Sequence, residues 1–216
     1  MIRYSLSETL FVFDLDGTVT EQEILPVIGA VAGLEQELAW LTARTLTGEI
    51  DFVQSFRQRF QMLRHVPLER VAAAISAIPL NPHIEAFILS HQEQCVLVTG
   101  NLDRWIHPLA QRLGCACYCS TSRLEPGGGL ELVSVLDKGA AVLELLASRT
   151  NIKRIIAVGE SVNDLSMFQH SDIGIAFGGV HTPVPEIMRI ADYVVYDGQE
   201  LCRLLKTFIH PNIHPD

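Results

Sequence analysis

The sequence predicts an α/β protein: a parallel sheet core with helices on both faces, plus a helical cap inserted after the first strand. Three observations predict it. An apolar run from Leu10 to Phe13 ends directly in two carboxylates, Asp14 and Asp16. From Glu21 to about Ala77, apolar residues recur at helical spacing with no strand between them. From Cys95 onward, short apolar runs alternate with helical stretches, the pattern of strands joined by crossover helices.

The first run reads as a short buried strand. Aspartate is depleted in strands, and alternation puts Asp14 and Asp16 on the same side. Two like charges so close are costly unless a cation sits between them. Gly17 then lets the backbone turn and Thr20 offers a helix N-cap. A strand followed by an ordinary Asp-Gly turn is the plain alternative.

In the helical block, Ile24, Val27, Ile28 and Val31 make one face and Gly33 closes the segment. A second stretch runs from about Glu35 to Leu46. A third carries Phe52, Phe56, Phe60 and Leu63, and a fourth follows Pro67 with Val71, Ile75 and Ile78. The Pro79 to Pro82 stretch ends the block. Residues 21–79 are thus expected to form a cap domain, with 1–20 and 80–216 as the α/β core domain.

Beyond the block, Cys95 to Thr99 is an apolar strand, and Asp103 to Leu113 a helix ended by Gly114. Cys115 to Cys119 is a strand, and the Gly127-Gly128-Gly129 run is a turn joining two short strands. Asp137 to about Ser148 is a helix, Arg154 to Val158 a strand, Asp164 to His170 a short helix and Ile173 to Phe177 a strand. A last strand, Tyr193 to Tyr196, precedes a last helix. In a Rossmann-like sheet of this kind, ligands bind beyond the carboxyl ends of the strands. That rule brings Asp14, Thr99 and Glu160 to one edge.

Composition narrows the function. With 216 residues and 48% hydrophobic content, the chain buries a sizeable core. Its net charge of −9 argues against nucleic acid or an anionic membrane surface as partner. No apolar run reaches spanning length and the opening MIRYSLSETL lacks a signal-peptide core, so a soluble, cytoplasmic protein is expected. The five cysteines are expected to be reduced thiols. Cys115, Cys117 and Cys119 would share one face of a strand, as small buried groups rather than metal ligands. His210 and His214, in a proline-bearing tail, read as a loose end. Oligomeric state is not legible.

Lys138 is out of place for a surface lysine. It follows a helix N-cap at Asp137, where a cation opposes the helix dipole by a few tenths of a kcal/mol. An anion bound nearby would resolve that cost. Glu160, Asn163 and Asp164 read either as turn chemistry at a helix start or as part of the same site. On the third helix, Arg59 falls within the stripe of Phe52, Phe56 and Leu63 while Arg57 points elsewhere. A guanidinium there suits bidentate carboxylate capture, or snorkels to solvent, or pairs with a core acid. Glu23 falls near Val27 and Ala30, with a Thr20–Glu23 capping box as its alternative.

Four strings, DLDGT at Asp14, VTGN at Thr99, DKG at Lys138 and GESVND at Gly159, together resemble the motifs of the haloacid dehalogenase superfamily of phosphohydrolases. The cap string GEIDFVQSFRQRF and the strand IAVGESVNDLSMF extend the resemblance over nearly the whole chain, to phosphoserine phosphatases and their close relatives. The resemblance implies a Mg²⁺-dependent phosphomonoesterase of a small phosphorylated metabolite, phosphoserine first, as in L-serine biosynthesis. It implies Asp14 as nucleophile, forming an aspartyl phosphate, and Asp16 as general acid and then base. Thr99, Gly100, Asn101, Asn163 and Lys138 would surround the phosphoryl group. Asp14, the Asp16 carbonyl, Glu160 and Asp164 would hold the metal. Glu23 and Arg59 would read the ammonium and carboxylate of an amino acid.

Two of these motifs depart from the family pattern. Glu160 and Ser161 stand where an aspartate and a glycine are usual, and Asn101 replaces a second glycine, its side chain expected to project towards the site entrance. A sugar phosphate or a methionine-salvage intermediate is the alternative substrate. A phospho-accepting signalling receiver is disfavoured by the helical insert and by an acceptor on the first strand. A non-catalytic phospho-ligand-binding protein would more naturally have lost Asp14 or Asp16.

Overall fold

A computed structural model describes residues 4–46 and 49–209. The tail histidines His210 and His214 lie outside the described residues. Seven strands, β1 (Thr9–Phe13), β2 (Cys95–Leu102), β3 (Ala116–Leu124), β4 (Leu130–Ser134), β5 (Arg154–Gly159), β6 (Ile173–Phe177) and β7 (Tyr193–Val195), form one sheet. Their order is β4-β3-β2-β1-β5-β6-β7, parallel except for β4, which returns antiparallel along β3. The chain moves outward from β1 first towards β2 and β3, then crosses to β5, β6 and β7. Strand order therefore reverses beside β1, which opens a crevice at its carboxyl end.

Between β1 and β2 come four consecutive helices, α1 (Ile24–Ala32), α2 (Glu35–Leu46), α3 (Phe52–Leu63) and α4 (Leu68–Ser76), followed by α5 (Pro82–Ser90). The remaining helices are α6 (Asp103–Leu113), α7 (Lys138–Ser148), α8 (Leu165–Gln169), α9 (Pro185–Ile190) and α10 (Gly198–Ile209). Pleating divides the strand residues between two apolar layers. Phe11, Phe13, Leu97, Ile156 and Val158 face α5, α6 and α10, while Leu10, Val12, Val96, Val98 and Ala157 face α7, α8 and α9. Phe87 of α5 meets Phe11 and Phe13 edge-on, at centroid distances of 5.1 and 6.3 Å. Burying each such ring contributes about 1.5–3 kcal/mol. All five cysteines are free thiols; Cys117 and Cys119 lie on β3 with Cys115 just before it, half-buried against the first layer.

The four-helix insert rests on the core through α3 and α6. Trp105 is buried against Phe56 and Phe60, at centroid distances of 6.4 and 6.2 Å. The Leu130 N–H donates to the Arg64 carbonyl, and Arg64 pairs with Glu125 beside the β3–β4 turn. That turn uses Gly128 and Gly129, at φ +81° and +95°, as the glycine run predicts.

Three local expectations differ from what the chain does. Thr20 is no N-cap: its backbone bridges to Leu80, and its hydroxyl bonds the Leu15 carbonyl and the Gly17 N–H within the turn. Helix α1 starts four residues later, with Glu23 at the cap position but no capping hydrogen bond, so the Thr20–Glu23 capping box does not form. The helices α5 and α9 had no sequence counterpart. For α5 the signal was present, since Asn81 accepts from the His83 and Ile84 N–H groups and Pro82 opens the first turn. The prolines read as the end of one block also begin the next helix.

Candidate active site

The carboxyl ends of β1, β2 and β5 converge as the strand order requires. Asp14 follows β1 directly, and its N–H extends the ladder by donating to the Val158 carbonyl. Gly17, at φ +72°, turns the chain back, and a side chain there would meet the Glu160 carboxylate at 2.6 Å. Only glycine allows the two segments to approach so closely. On the far side of β1, the register of β2 against β3 slips between Thr99 and Leu102. This bulge, held by the Ser120 hydroxyl donating to the Gly100 carbonyl at 2.7 Å, carries the strand past Thr99 and turns Gly100 and Asn101 into the crevice.

Lys138, at the first turn of α7, is buried and donates to Asp14 Oδ1 and to Asp164 Oδ1, each at 2.5 Å. The N-cap expected at Asp137 is present, its side chain accepting from the Ala140 N–H. The cation at the wrong end of a helix is thus matched by two buried carboxylates. They hold the ammonium above its ordinary pKa although burial opposes it. Asp164 anchors the loop as well: its Oδ2 accepts from the Glu160 and Ser161 N–H groups, each at 2.9 Å, and from the Ser161 hydroxyl. Both oxygens of this expected metal ligand are therefore engaged by protein donors.

Asp16 accepts from the Ile24 N–H at 2.7 Å and from Asn101 Nδ2 at 3.1 Å. Asn101 was expected to project towards the entrance. It is instead buried, and its amide also donates to Thr99 Oγ1 at 3.1 Å. Thr99 Oγ1 accepts from the Asn101 N–H too, which leaves the hydroxyl proton free to donate. Beside Gly100, the space a side chain would need is taken by Phe52 of α3 at 2.7 Å and by Asn163 at 3.3 Å. The insert and the core thus meet at this glycine.

Burial raises Asp14 to about 7, with Asp164 and Asp16 adding to it and Lys138 opposing. Burial and the neighbouring Glu23 raise Asp16 to about 7. Burial and the surrounding acids raise Glu160 to about 9. The Glu160 carboxylate is only 6% exposed, and its Oε2 has no hydrogen-bond partner among the described residues. Four carboxylates facing one ammonium, one of them with an orphaned oxygen, fit a divalent cation held by oxygen ligands. Among the described residues no protein donor meets Asp14 Oδ2 or Glu160 Oε2, whereas both carboxylate oxygens of Asp16, like those of Asp164, are engaged, which leaves Asp16 its backbone carbonyl to offer.

A pH dependence follows for the metal-free chain. Folded-state values above the ordinary 3.8 and 4.5 mean that the folded chain keeps protons the unfolded chain has lost. The associated stability is full below about pH 4 and is lost as pH rises through about 7 for the aspartates and about 9 for Glu160. Thermal melting in EDTA should show Tm falling from pH 5 to pH 9 along this limb. Mg²⁺, which favours the ionised carboxylates, should flatten the slope; the same slope with and without Mg²⁺ would count against an ion at these acids.

The insert brings two further predicted residues near the crevice. Arg59 is 8% exposed; its Nη2 reaches Thr42 Oγ1 at 3.2 Å and Thr45 Oγ1 at 3.4 Å, and its Nε has no partner. No carboxylate pairs with it among the described residues, although Glu23 and Asp16 lie close enough to act on its charge. Arg57 is exposed, as the helical phase predicts. Glu23 accepts from, or donates to, His181 Nε2 at 2.9 Å, and burial raises its pKa. Sequence reasoning missed His181. It sits in the loop between β6 and α9, and a lone histidine among Gly, Thr and Pro carries no motif to reveal it.

Acids and a lysine at the strand ends of a Rossmann-like sheet define a hydrolase site, and the family model for haloacid dehalogenase-like hydrolases matches residues 11–169: the chain belongs to that family. Within it, the chain is a phosphatase similar to phosphoserine phosphatases. The enzyme of Methanocaldococcus jannaschii is 29% identical over 179 residues, covering 78% of this chain and 84% of that one. The phosphoserine phosphatase of Streptococcus thermophilus is 31% identical over 180 residues, 78% and 83% of the two chains. A solved phosphoserine phosphatase, in the form of a phospho-aspartyl intermediate analogue, superposes with a TM-score of 0.75 at 26% identity, covering 90% of this chain and 97% of that one. Some other phosphoserine phosphatases are longer, and the chain spans about half their length. Phosphatases of this family generally use Mg²⁺. Among the described residues no helix is long and apolar enough to cross a membrane.

Proposed function

We propose that the chain is a Mg²⁺-dependent phosphomonoesterase acting through an aspartyl phosphate on a small phosphorylated carboxylic acid, with phosphoserine as the first substrate. The chemistry rests on one observation above the others, the buried contact of Lys138 with Asp14 and Asp164 at the strand ends. Residues 21–79 are read as a cap domain over a core of 1–20 and 80–216, since Phe52 of the insert closes on Gly100 of the core.

Asp14 attacks phosphorus, forming the new O–P bond as the bond to the substrate oxygen breaks. Asp16 gives that leaving oxygen a proton, and its value of about 7 suits the task near neutral pH. Asp16 then takes a proton from the water that attacks the aspartyl phosphate, releasing inorganic phosphate and restoring Asp14. Lys138, the free Thr99 hydroxyl proton and the Gly100 N–H stabilise the phosphoryl oxygens, while Asp164 keeps Lys138 in line. Asn163 lines the same space, and Asn101 holds Asp16 and Thr99 in position. Asp14, the Asp16 carbonyl and Glu160 would hold a Mg²⁺ ion, which would supply the charge that lets a carboxylate approach a phosphate dianion.

The substrate reading rests on Arg59. A buried guanidinium with no carboxylate partner among the described residues is the receptor a substrate carboxylate requires. Glu23 lies near enough to serve the ammonium, sharing that role with its contact to His181. Phosphate release from a panel of phosphoserine, phosphoglycolate, sugar phosphates and para-nitrophenyl phosphate, with Mg²⁺ and with EDTA, tests the proposal. Phosphoserine turnover well above that of the sugar phosphates, lost in EDTA, is expected; preference for a sugar phosphate would overturn the substrate.

A further inference from the structure

Glu23 and Glu160, already placed at the crevice, form with His181 a group of ligand atoms that the reaction described above does not use together. Glu23 at the start of α1, Glu160 after β5 and His181 in the loop after β6 each offer one ligand atom, all within 4.8 Å of one another. They come from the insert and from two separate loops of the core, so no local sequence constraint brings them together. The Glu23–His181 contact, at 2.9 Å, involves two half-exposed side chains. The third member differs in kind. Glu160 is buried, and its carboxylate has no hydrogen-bond donor among the described residues, Oε2 being wholly enclosed and unpartnered. An acid so placed is costly unless a cation meets it.

We propose that Glu23, Glu160 and His181 form a second divalent-cation site, for a borderline ion of the Zn²⁺ class rather than Mg²⁺. The imidazole decides the class. Mg²⁺ prefers all-oxygen shells and keeps several waters, whereas Zn²⁺ takes mixed imidazole and carboxylate ligands with an open position for water. Ligands at about 2.0–2.2 Å around a tetrahedral ion stand about 3.4 Å apart, so modest side-chain movements close the group on an ion. Glu160 has two oxygens, so the ion expected at Asp14 and Asp16 and this one can share it, as paired metal centres do.

Zn²⁺ binding at these three residues requires neither turnover nor a particular substrate. Zn²⁺ is titrated into the chain by calorimetry with Mg²⁺ in excess, for the wild type, His181→Ala and Glu23→Gln, with melting curves to verify each fold. Because both substituted side chains are half-exposed, both variants should fold. The wild type should bind one Zn²⁺ more tightly than either variant, by about 100-fold or more for loss of the imidazole, since even groups that merely orient a ligand are worth 10–100-fold. With Mn²⁺ in place of Zn²⁺, pulsed electron paramagnetic resonance should show nitrogen coupling that disappears in His181→Ala. Equal Zn²⁺ affinity in the wild type and His181→Ala would place the ion elsewhere and overturn the proposal, as would failure of the wild type to bind Zn²⁺. Asp14→Asn should keep this site, so its loss of turnover and a loss of Zn²⁺ binding report on separate readings.

Discussion

Asp14→Asn should abolish phosphate release while leaving the fold intact. The amide is nearly isosteric with the carboxylate but is a poor nucleophile, so the O–P bond of the aspartyl phosphate no longer forms. Removing a covalent nucleophile typically lowers kcat by several orders of magnitude, and a loss of at least about 100-fold is expected here. Stability should change little. Burial already raises Asp14 to about 7, so near neutral pH the metal-free chain carries it partly protonated, a state the amide imitates. Lys138 keeps Asp164 as its second buried partner. Phosphate release measured beside thermal melting separates the two effects. Beryllofluoride, which mimics an acyl phosphate on aspartate, should bind the wild type and not the variant. Turnover above about a hundredth of wild type in a folded variant would remove Asp14 from the nucleophile's role.

How far the sequence exposes such a site depends on whether the signal is local. The Asp14–Asp16 pair, the glycine turn after it and the N-cap before Lys138 are short-range features, and the strands Arg154–Gly159 and Ile173–Phe177 stand where their apolar runs put them. The edge of the sheet that collects Asp14, Thr99 and Glu160 follows from strand order alone. What was hidden is long-range. No spacing rule connects Asn101 to Asp16, 85 residues away, and its burial depends on a bulge set by Ser120 of the neighbouring strand. His181 meets Glu23 across 158 residues. Lys138 was legible as an anomaly at a helix start, but its two partners come from β1 and from the loop after β5. Where one proline cluster both ends a helix and begins another, as at Pro79 to Pro82, the same local signal serves two elements and its composition does not say which. Asn81 before Pro82 was the residue that distinguished the two.

Arg59→Lys should selectively impair substrates that carry a carboxylate. The helical phase of α3 puts Arg59 in line with Phe56 and Leu63, and it is buried there, where its Nη2 meets two threonine hydroxyls among the described residues. Burial lowers its pKa, while the negative charges of Glu23 and Asp16 counteract that effect. A lysine keeps the positive charge but cannot reproduce the planar, two-donor fork that grips a carboxylate. Losing one charged, desolvated contact costs about 2–4 kcal/mol in kcat/KM, a thirtyfold to thousandfold drop for phosphoserine. Para-nitrophenyl phosphate has no carboxylate to hold and should change little. The ratio of the two substrates carries the result, since a packing defect in the insert would lower both together. Equal losses would assign Arg59 to the architecture of the insert, among Thr42, Thr45 and the aromatic side chains of α3. A wild type that releases phosphate from para-nitrophenyl phosphate but not from phosphoserine would leave the phosphatase chemistry standing, with Arg59 turned to another anion.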